Sequence, residues 1–293
     1  MHDMLTQVES KEKDQAGLWS VNPNQGRGIF VFDLPSEIIN DFYDLKEYVR
    51  IANMRNQITV LSVASSLPGE GSSTISTYLA YLLSGGVLRK ASALHHEPVA
   101  AAVNDSSQNS GLFTADFEAI KSSADSTKQA LENALATPDV LLVDANLAQP
   151  SLHRMFQVDE EDGLAEVLER RLDWRTQLKP IAETSLSLLT AGKTALNPAE
   201  LLGSELFRAL IQEWRKLFGF VVIDSPPVLT QVAALSLAAV VDGVVLVVRA
   251  GQTRWEVAQN AKRKLTAAHA NVLGVALNRK KSELTENLLR RLN

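Results

Sequence analysis

Ten residues, Ser65-Ser66-Leu67-Pro68-Gly69-Glu70-Gly71-Ser72-Ser73-Thr74, hold the densest concentration of chemistry in this chain. An apolar run, Val60–Ala64, precedes them, and a pattern of helical spacing from Ser72 to Ala80 follows. A buried strand, a glycine loop and a helix opening onto that loop form an anion cradle. The loop amides and the positive end of the helix dipole converge on one point. A phosphate loop of this kind normally ends Gly-Lys-Ser/Thr. The lysine reaches the outer phosphates and the hydroxyl holds Mg²⁺. Here the ending is Gly71-Ser72-Ser73, so the cradle lacks its cation. Two aspartates add to the picture, because each closes an apolar strand pattern: Asp144 after Val140–Val143, and Asp224 after Phe220–Ile223. Ligands of open α/β sheets bind at the carboxyl ends of strands, where all three features fall.

The elements that must position these residues follow from hydrophobic patterning. Apolar strands are expected at 60–64, 140–143, 186–189, 220–223, 244–248 and 272–277. Helices are expected at 37–51, 72–86, 115–136, 163–170, 198–218, 232–241 and 255–269. Ser36 is the natural N-cap of the first helix. Alternation of this type predicts an α/β fold, doubly wound, with a mostly parallel sheet and helices on both faces. Residues 1–28 are polar and aperiodic, which predicts a flexible tail ahead of a single domain over 29–293. Residues 91–115 read as a loop within a long insertion at about 87–138.

Composition narrows the function classes. A net charge of −5 argues against nucleic acid as a partner. With no cysteine there is no disulfide or thiolate metal site, which suits a reducing compartment. The longest nearly apolar run, Val232–Val241, is half of the roughly 20 residues that a bilayer span needs. The chain is therefore expected to be cytoplasmic, with any membrane association made through a partner.

Several segments together resemble one family, the bacterial tyrosine kinases of capsular and exopolysaccharide assembly. These are members of the ParA/MinD-like class of P-loop ATPases. SSLPGEGSST (65–74) is similar to the family's phosphate loop, and LLVDANLAQPSLHRMF (141–156) to its second acidic motif. FVVIDSPPVL (220–229) resembles its Walker B strand. GLAEVL (163–168), AGKTALNPAELLGSELF (191–207), DGVVLVVRAGQT (242–253) and VLGVALNR (272–279) complete a resemblance spread over about 37–280. It implies ATP or ADP with Mg²⁺ as cofactor, held by Pro68, Gly69, Glu70, Gly71, Ser72, Ser73 and Thr74. Arg249 and Asn278 would approach the adenine. Ser73, Asp144 and Asp224 would hold the metal, and the two aspartates would be the catalytic groups. The implied partner is the cytoplasmic face of an inner-membrane polysaccharide co-polymerase or chain-length protein.

The departures from the family pattern are equally specific. Ser72 replaces the loop lysine, Asn146 the second aspartate of the acidic motif, Ala148 its arginine and Ala233 an aspartate beyond Walker B. A charge-assisted hydrogen bond is worth about 1.5–3 kcal/mol, so loss of the lysine alone weakens nucleotide binding roughly ten- to a hundredfold. The family's tyrosine-rich tail corresponds to SELTENLLRRLN, which has no tyrosine; the last tyrosine is Tyr81. Its oligomerisation pattern, Glu-x₂-Arg-x₂-Arg, corresponds to Glu37, Asn40 and Tyr43, which leaves homo-oligomer formation open. Four charged positions made neutral predict a catalytically degenerate member, a regulatory or scaffolding subunit of exopolysaccharide synthesis and export. The alternative is an active ATP-dependent tyrosine kinase that has relocated its cation. Each site residue also has a plain structural role open to it. Ser73, Asp144 and Asp224 can cap helices, and Arg249 can be a solvated strand-end charge. Lys179, Lys193 and Arg279-Lys280-Lys281 are expected on the solvated surface.

Overall fold

The computed structural model describes residues 36–88, 139–182 and 184–279. The expected tail at 1–28, the loop at 91–115 and the helix at 115–136 lie outside the described residues.

The buried apolar runs form seven strands: β1 Val60–Ser65, β2 Val140–Asp144, β3 Lys179–Ile181, β4 Leu186–Leu189, β5 Phe220–Asp224, β6 Gly243–Arg249 and β7 Val272–Asn278. They make one sheet in the order β3-β4-β2-β5-β1-β6-β7. Every pairing is parallel except that of β3 with β4. β1, β2 and β5 are buried along their whole length, as strands covered on both faces must be.

Alternate residues of each strand feed separate cores. Leu61, Val63, Leu142, Val222, Val245 and Val247 face a layer that includes α1 Ser36–Asn56, α2 Ser72–Leu83 and α3 Leu152–Phe156. The intervening residues Val60, Leu141, Val143, Val221 and Ile223 face α4 Leu164–Arg170, α5 Pro198–Gly203 and α6 Glu205–Leu217. Val244, Leu246 and Val248 face α7 Ala233–Ala238 and α8 Trp255–Ala267. The sheet is thus covered on both sides, as the patterning predicts.

Several elements differ from expectation: the first helix runs on to Asn56 and α2 ends at Leu83, and three further differences have local reasons. The helix expected over 198–218 is broken at Ser204, whose φ of −69° and ψ of 154° are extended. The Ser204 hydroxyl instead accepts the Phe207 N–H and caps α6. The helix expected at 232–241 is confined to Ala233–Ala238, and its end is tied off by backbone bonds from Ala239 and Val240. The short strand β3 escaped the hydrophobic pattern because Lys179 and Pro180 at its start are polar or half-exposed. An antiparallel edge strand needs no second apolar face.

The start of β1 is clamped from below. Asp242, just ahead of β6, accepts the N–H groups of Thr59 and Val60 at 3.0 and 2.7 Å. It also binds Arg215 of α6 at 2.7 Å. This clamp fixes the strand that leads into the glycine loop.

Candidate functional site

β1 runs between β5 and β6 and ends at Ser65, from which the chain turns through 66–71 into α2. Gly69 and Gly71 have φ of +80° and +96°, values that an L side chain adopts only under strain. Ser66 N–H bonds to Val247 of β6, while Val228 and Leu229 N–H bond back to Ser65 and Ser66. Val228 and Leu229, which follow Asp224-Ser225-Pro226-Pro227, therefore brace the start of the loop. Gly71 is the N-cap of α2 and makes no side-chain cap, so the first turn of the helix opens onto the loop.

Asp144 and Asp224 are paired in register at the ends of β2 and β5. Both are fully buried. Their surroundings differ. One Asp144 oxygen accepts the Asn146 N–H at 3.1 Å; the other accepts the Ser151 and Leu152 N–H groups, both at 3.0 Å. Asp144 thereby caps α3. Burial still raises its pKa above the usual carboxylate range, against these three N–H donors and the His153 ring. Asp224 receives the Ser76 hydroxyl at 3.4 Å on one oxygen, while Oδ2 has no hydrogen-bond partner. Burial first, and the Asp144 charge second, push Asp224 well above the carboxylate range. The hydroxyls of Ser73, Ser76 and Ser72 oppose that shift. Among the described residues no lysine or arginine is bonded to either aspartate.

The residues implied for nucleotide binding divide into two groups. Ser72, Ser73, Asp144 and Asp224 meet at one place, where α2 begins over the ends of β2 and β5. Thr74 follows in the same first turn. Pro68 and Gly69 form the outer bend of the loop. The Glu70 carboxylate is 3% exposed and turns inward, accepting the Leu67 N–H at 3.0 Å and the Thr253 hydroxyl. Asn278, expected near a base, donates its amide to the Glu70 carbonyl at 2.8 Å. Arg249 pairs in register with Asn278, at the end of β6. Thr253 was missed as a site residue. Its position in the AGQT turn, 183 residues from Glu70, carries no local signal of the contact. Lys179 and Lys193 lie apart from the loop beside the acidic segment Asp159–Asp162, where they line a separate cavity. Neither replaces the missing cation.

The P-loop fold implies a nucleotide with Mg²⁺, and the residues present fit that group in part. Mg²⁺ is commonly held by one or two protein groups together with phosphate oxygens. The unpartnered Oδ2 of Asp224 and the Ser73 hydroxyl beside it could serve. Asp144 already accepts three N–H groups, two of them at the start of α3, which leaves it less acceptor capacity for a metal than Asp224. The cradle offers amides and hydroxyls to a phosphate, but no cation.

No family model matches the chain. Among named proteins it is 37% identical over 142 residues to the Bacillus subtilis tyrosine-protein kinase YwqD, covering 48% of this chain and 60% of that protein. It is 32% identical over 168 residues to CapB of Staphylococcus aureus, whose name also places it among tyrosine-protein kinases; the match covers 57% of this chain and 74% of CapB. A third relative is the succinoglycan biosynthesis transport protein ExoP of Rhizobium meliloti, 31% identical over 47% of this chain but only 18% of its own length. Of solved structures, the chimerical protein CapA2B2 superposes with a TM-score of 0.62 at 20% identity, covering 92% of this chain and 99% of that one. The Mg-ADP complex of MinD from Pyrococcus horikoshii superposes with a TM-score of 0.50 at 15% identity, over 80% and 76% of the two chains. These likenesses carry the P-loop ATPase fold. The CapB match, which covers 74% of that protein, carries the family: the chain belongs to the bacterial tyrosine-protein kinases.

Proposed function

We propose that this chain is a catalytically degenerate bacterial tyrosine kinase, acting as a regulatory or scaffolding subunit of exopolysaccharide synthesis and export. One observation carries the reading. The site keeps its two buried carboxylates and its hydroxyls, yet no lysine or arginine among the described residues is bonded to them, and the His153 ring acts on Asp144 alone. Phosphoryl transfer spreads negative charge over the transferring group, and catalysis consists largely of positioning and stabilising that charge. A cradle with two acids and no cation works against this. The commitment of one Asp144 oxygen to the start of α3, and of the other to the Asn146 N–H, also favours a structural role for a residue that relatives would use on metal.

The polysaccharide setting rests on the family and on the similarity to ExoP, whose name refers to succinoglycan. Among the described residues no helix is long and apolar enough to cross a membrane. In this reading the chain acts at the cytoplasmic face, recruited by a membrane co-polymerase or chain-length protein. Any Mg-nucleotide would be bound weakly, through the loop amides, Ser73 and Asp224.

The second reading, an active kinase, is favoured by the retained loop and by the unpartnered Asp224 Oδ2. Incubation of the purified chain and its partner with Mg-ATP, followed by phosphotyrosine detection on both, separates the two. The expected result is no transfer above background. Robust transfer that disappears in Asp224→Ala would overturn the degenerate reading.

A further inference from the structure

Glu70 is an acidic residue built into an anion cradle, and each of its carboxylate oxygens accepts a hydrogen bond from the protein. Oε2 accepts the Leu67 N–H at 3.0 Å, and Oε1 accepts the Thr253 hydroxyl. The Thr253 oxygen in turn accepts the Arg249 N–H at 3.1 Å, and the Thr253 N–H returns to the Arg249 carbonyl at 2.9 Å. From β7, Asn278 donates to the Glu70 carbonyl at 2.8 Å. The next residue, Gly71, lies so close that a Cβ there would sit 2.2 Å from the Asn278 amide nitrogen. Three segments far apart in sequence thus meet on one residue that is 3% exposed.

We propose that Glu70 is a positioning residue: with Thr253 and Asn278 it latches the loop 66–71 in its cradle-like shape, and joins that loop to the turn 250–254. The turn leads directly into α8, whose first residue, Trp255, is 73% exposed. The inference rests on the reading of this loop as a phosphate-type cradle. It accounts for a loop that keeps its shape although Ser72 stands where the lysine would be.

The test is hydrogen exchange on the full chain. Thr253→Val keeps the shape of the side chain and removes both hydroxyl bonds. The expected result is exchange at least about tenfold faster in 66–71 and 249–254, the effect of losing a charge-assisted bond and its neighbour. Exchange in β4, at the far side of the sheet, should stay at the wild-type rate, and Thr253→Ser should restore the loop. Wild-type exchange in the loop of Thr253→Val would overturn the latch, as would a rise of equal size in β4. If Thr253→Val does not fold, Asn278→Ala serves the same purpose. It should speed exchange about fivefold at 70–72, and an unchanged rate there refutes the latch. Nucleotide binding is not the readout, so tight Mg-ATP binding would sink the degenerate reading and leave the latch standing. An unlatched wild-type loop would do the reverse.

Discussion

Restoring the lysine is the most direct test of what the site has lost. In Ser72→Lys, the ammonium would enter at the first residue of α2, next to a buried carboxylate whose Oδ2 has no partner. Burying a charge is costly unless it is paired. Here the partner is already in place, so the substitution should fold. In the free protein, the new cation opposes the burial and the Asp144 repulsion that raise the Asp224 pKa. In the complex, it adds one charge-assisted hydrogen bond to phosphate, about 1.5–3 kcal/mol. That corresponds to roughly ten- to a hundredfold in Kd. The lysine also forms a bond with Asp224 that must be shared on binding, which places the expected gain toward the lower end. The assay is a calorimetric titration of Mg-ATP and Mg-ADP into wild type, Ser72→Lys and Ser72→Met. Methionine matches the length of lysine without its charge. Wild type should bind weakly or not measurably, Ser72→Lys at least tenfold more tightly, and Ser72→Met no better than wild type. Micromolar binding by wild type, unchanged in Ser72→Lys, would refute the reasoning: the pocket would then hold nucleotide by another arrangement of donors.

Further outcomes follow from the same geometry. The Asp224 pKa is raised in the folded chain, so the native state binds more protons than the unfolded state between the ordinary carboxylate value and the raised one. Stability should therefore fall as pH rises through that window. Asp224→Asn should flatten the dependence, raising stability at pH 8 but not below pH 4, as read by urea unfolding; a gain of equal size at both pH values would contradict the assignment. Asp242→Ala strips an acceptor from the Thr59 and Val60 N–H groups and leaves Arg215 unpaired, and should cost about 3 kcal/mol in denaturant unfolding. Loss of under 1 kcal/mol would show that the clamp under β1 is ornamental. Trp214, fully buried against Phe207 and Trp174, should cost about 3–5 kcal/mol on truncation to alanine. Thermal unfolding with an unchanged midpoint would be inconsistent with its place at the centre of that core.

The sequence determined the architecture because the sheet is a matter of periodicity. Val140–Val143 and Phe220–Ile223 are continuous apolar runs, which only a strand buried on both faces requires, and each ends in an aspartate. That Asp144, Asp224 and the glycine loop share one end of the sheet follows from parallel pairing alone. The missing lysine was equally legible, since Ser72 occupies a fixed place in a short loop. Outside the patterning lay every feature that depends on where a side chain finds its partner. Asp144 reads identically as a metal ligand and as a helix cap. That it caps α3 depends on the chain folding back so that the Ser151 and Leu152 N–H groups reach its carboxylate. Asn278 could point to a base or to the loop, and it went to the Glu70 carbonyl, 208 residues away. Spacing in the chain specifies which residues share a strand or a helix face. It does not specify which of several acceptors a buried donor will meet, because that depends on packing between elements distant in sequence. The cradle was visible in ten consecutive residues, whereas the Glu70, Thr253 and Asn278 contacts that hold its shape emerged only when β1, β6 and β7 were laid side by side.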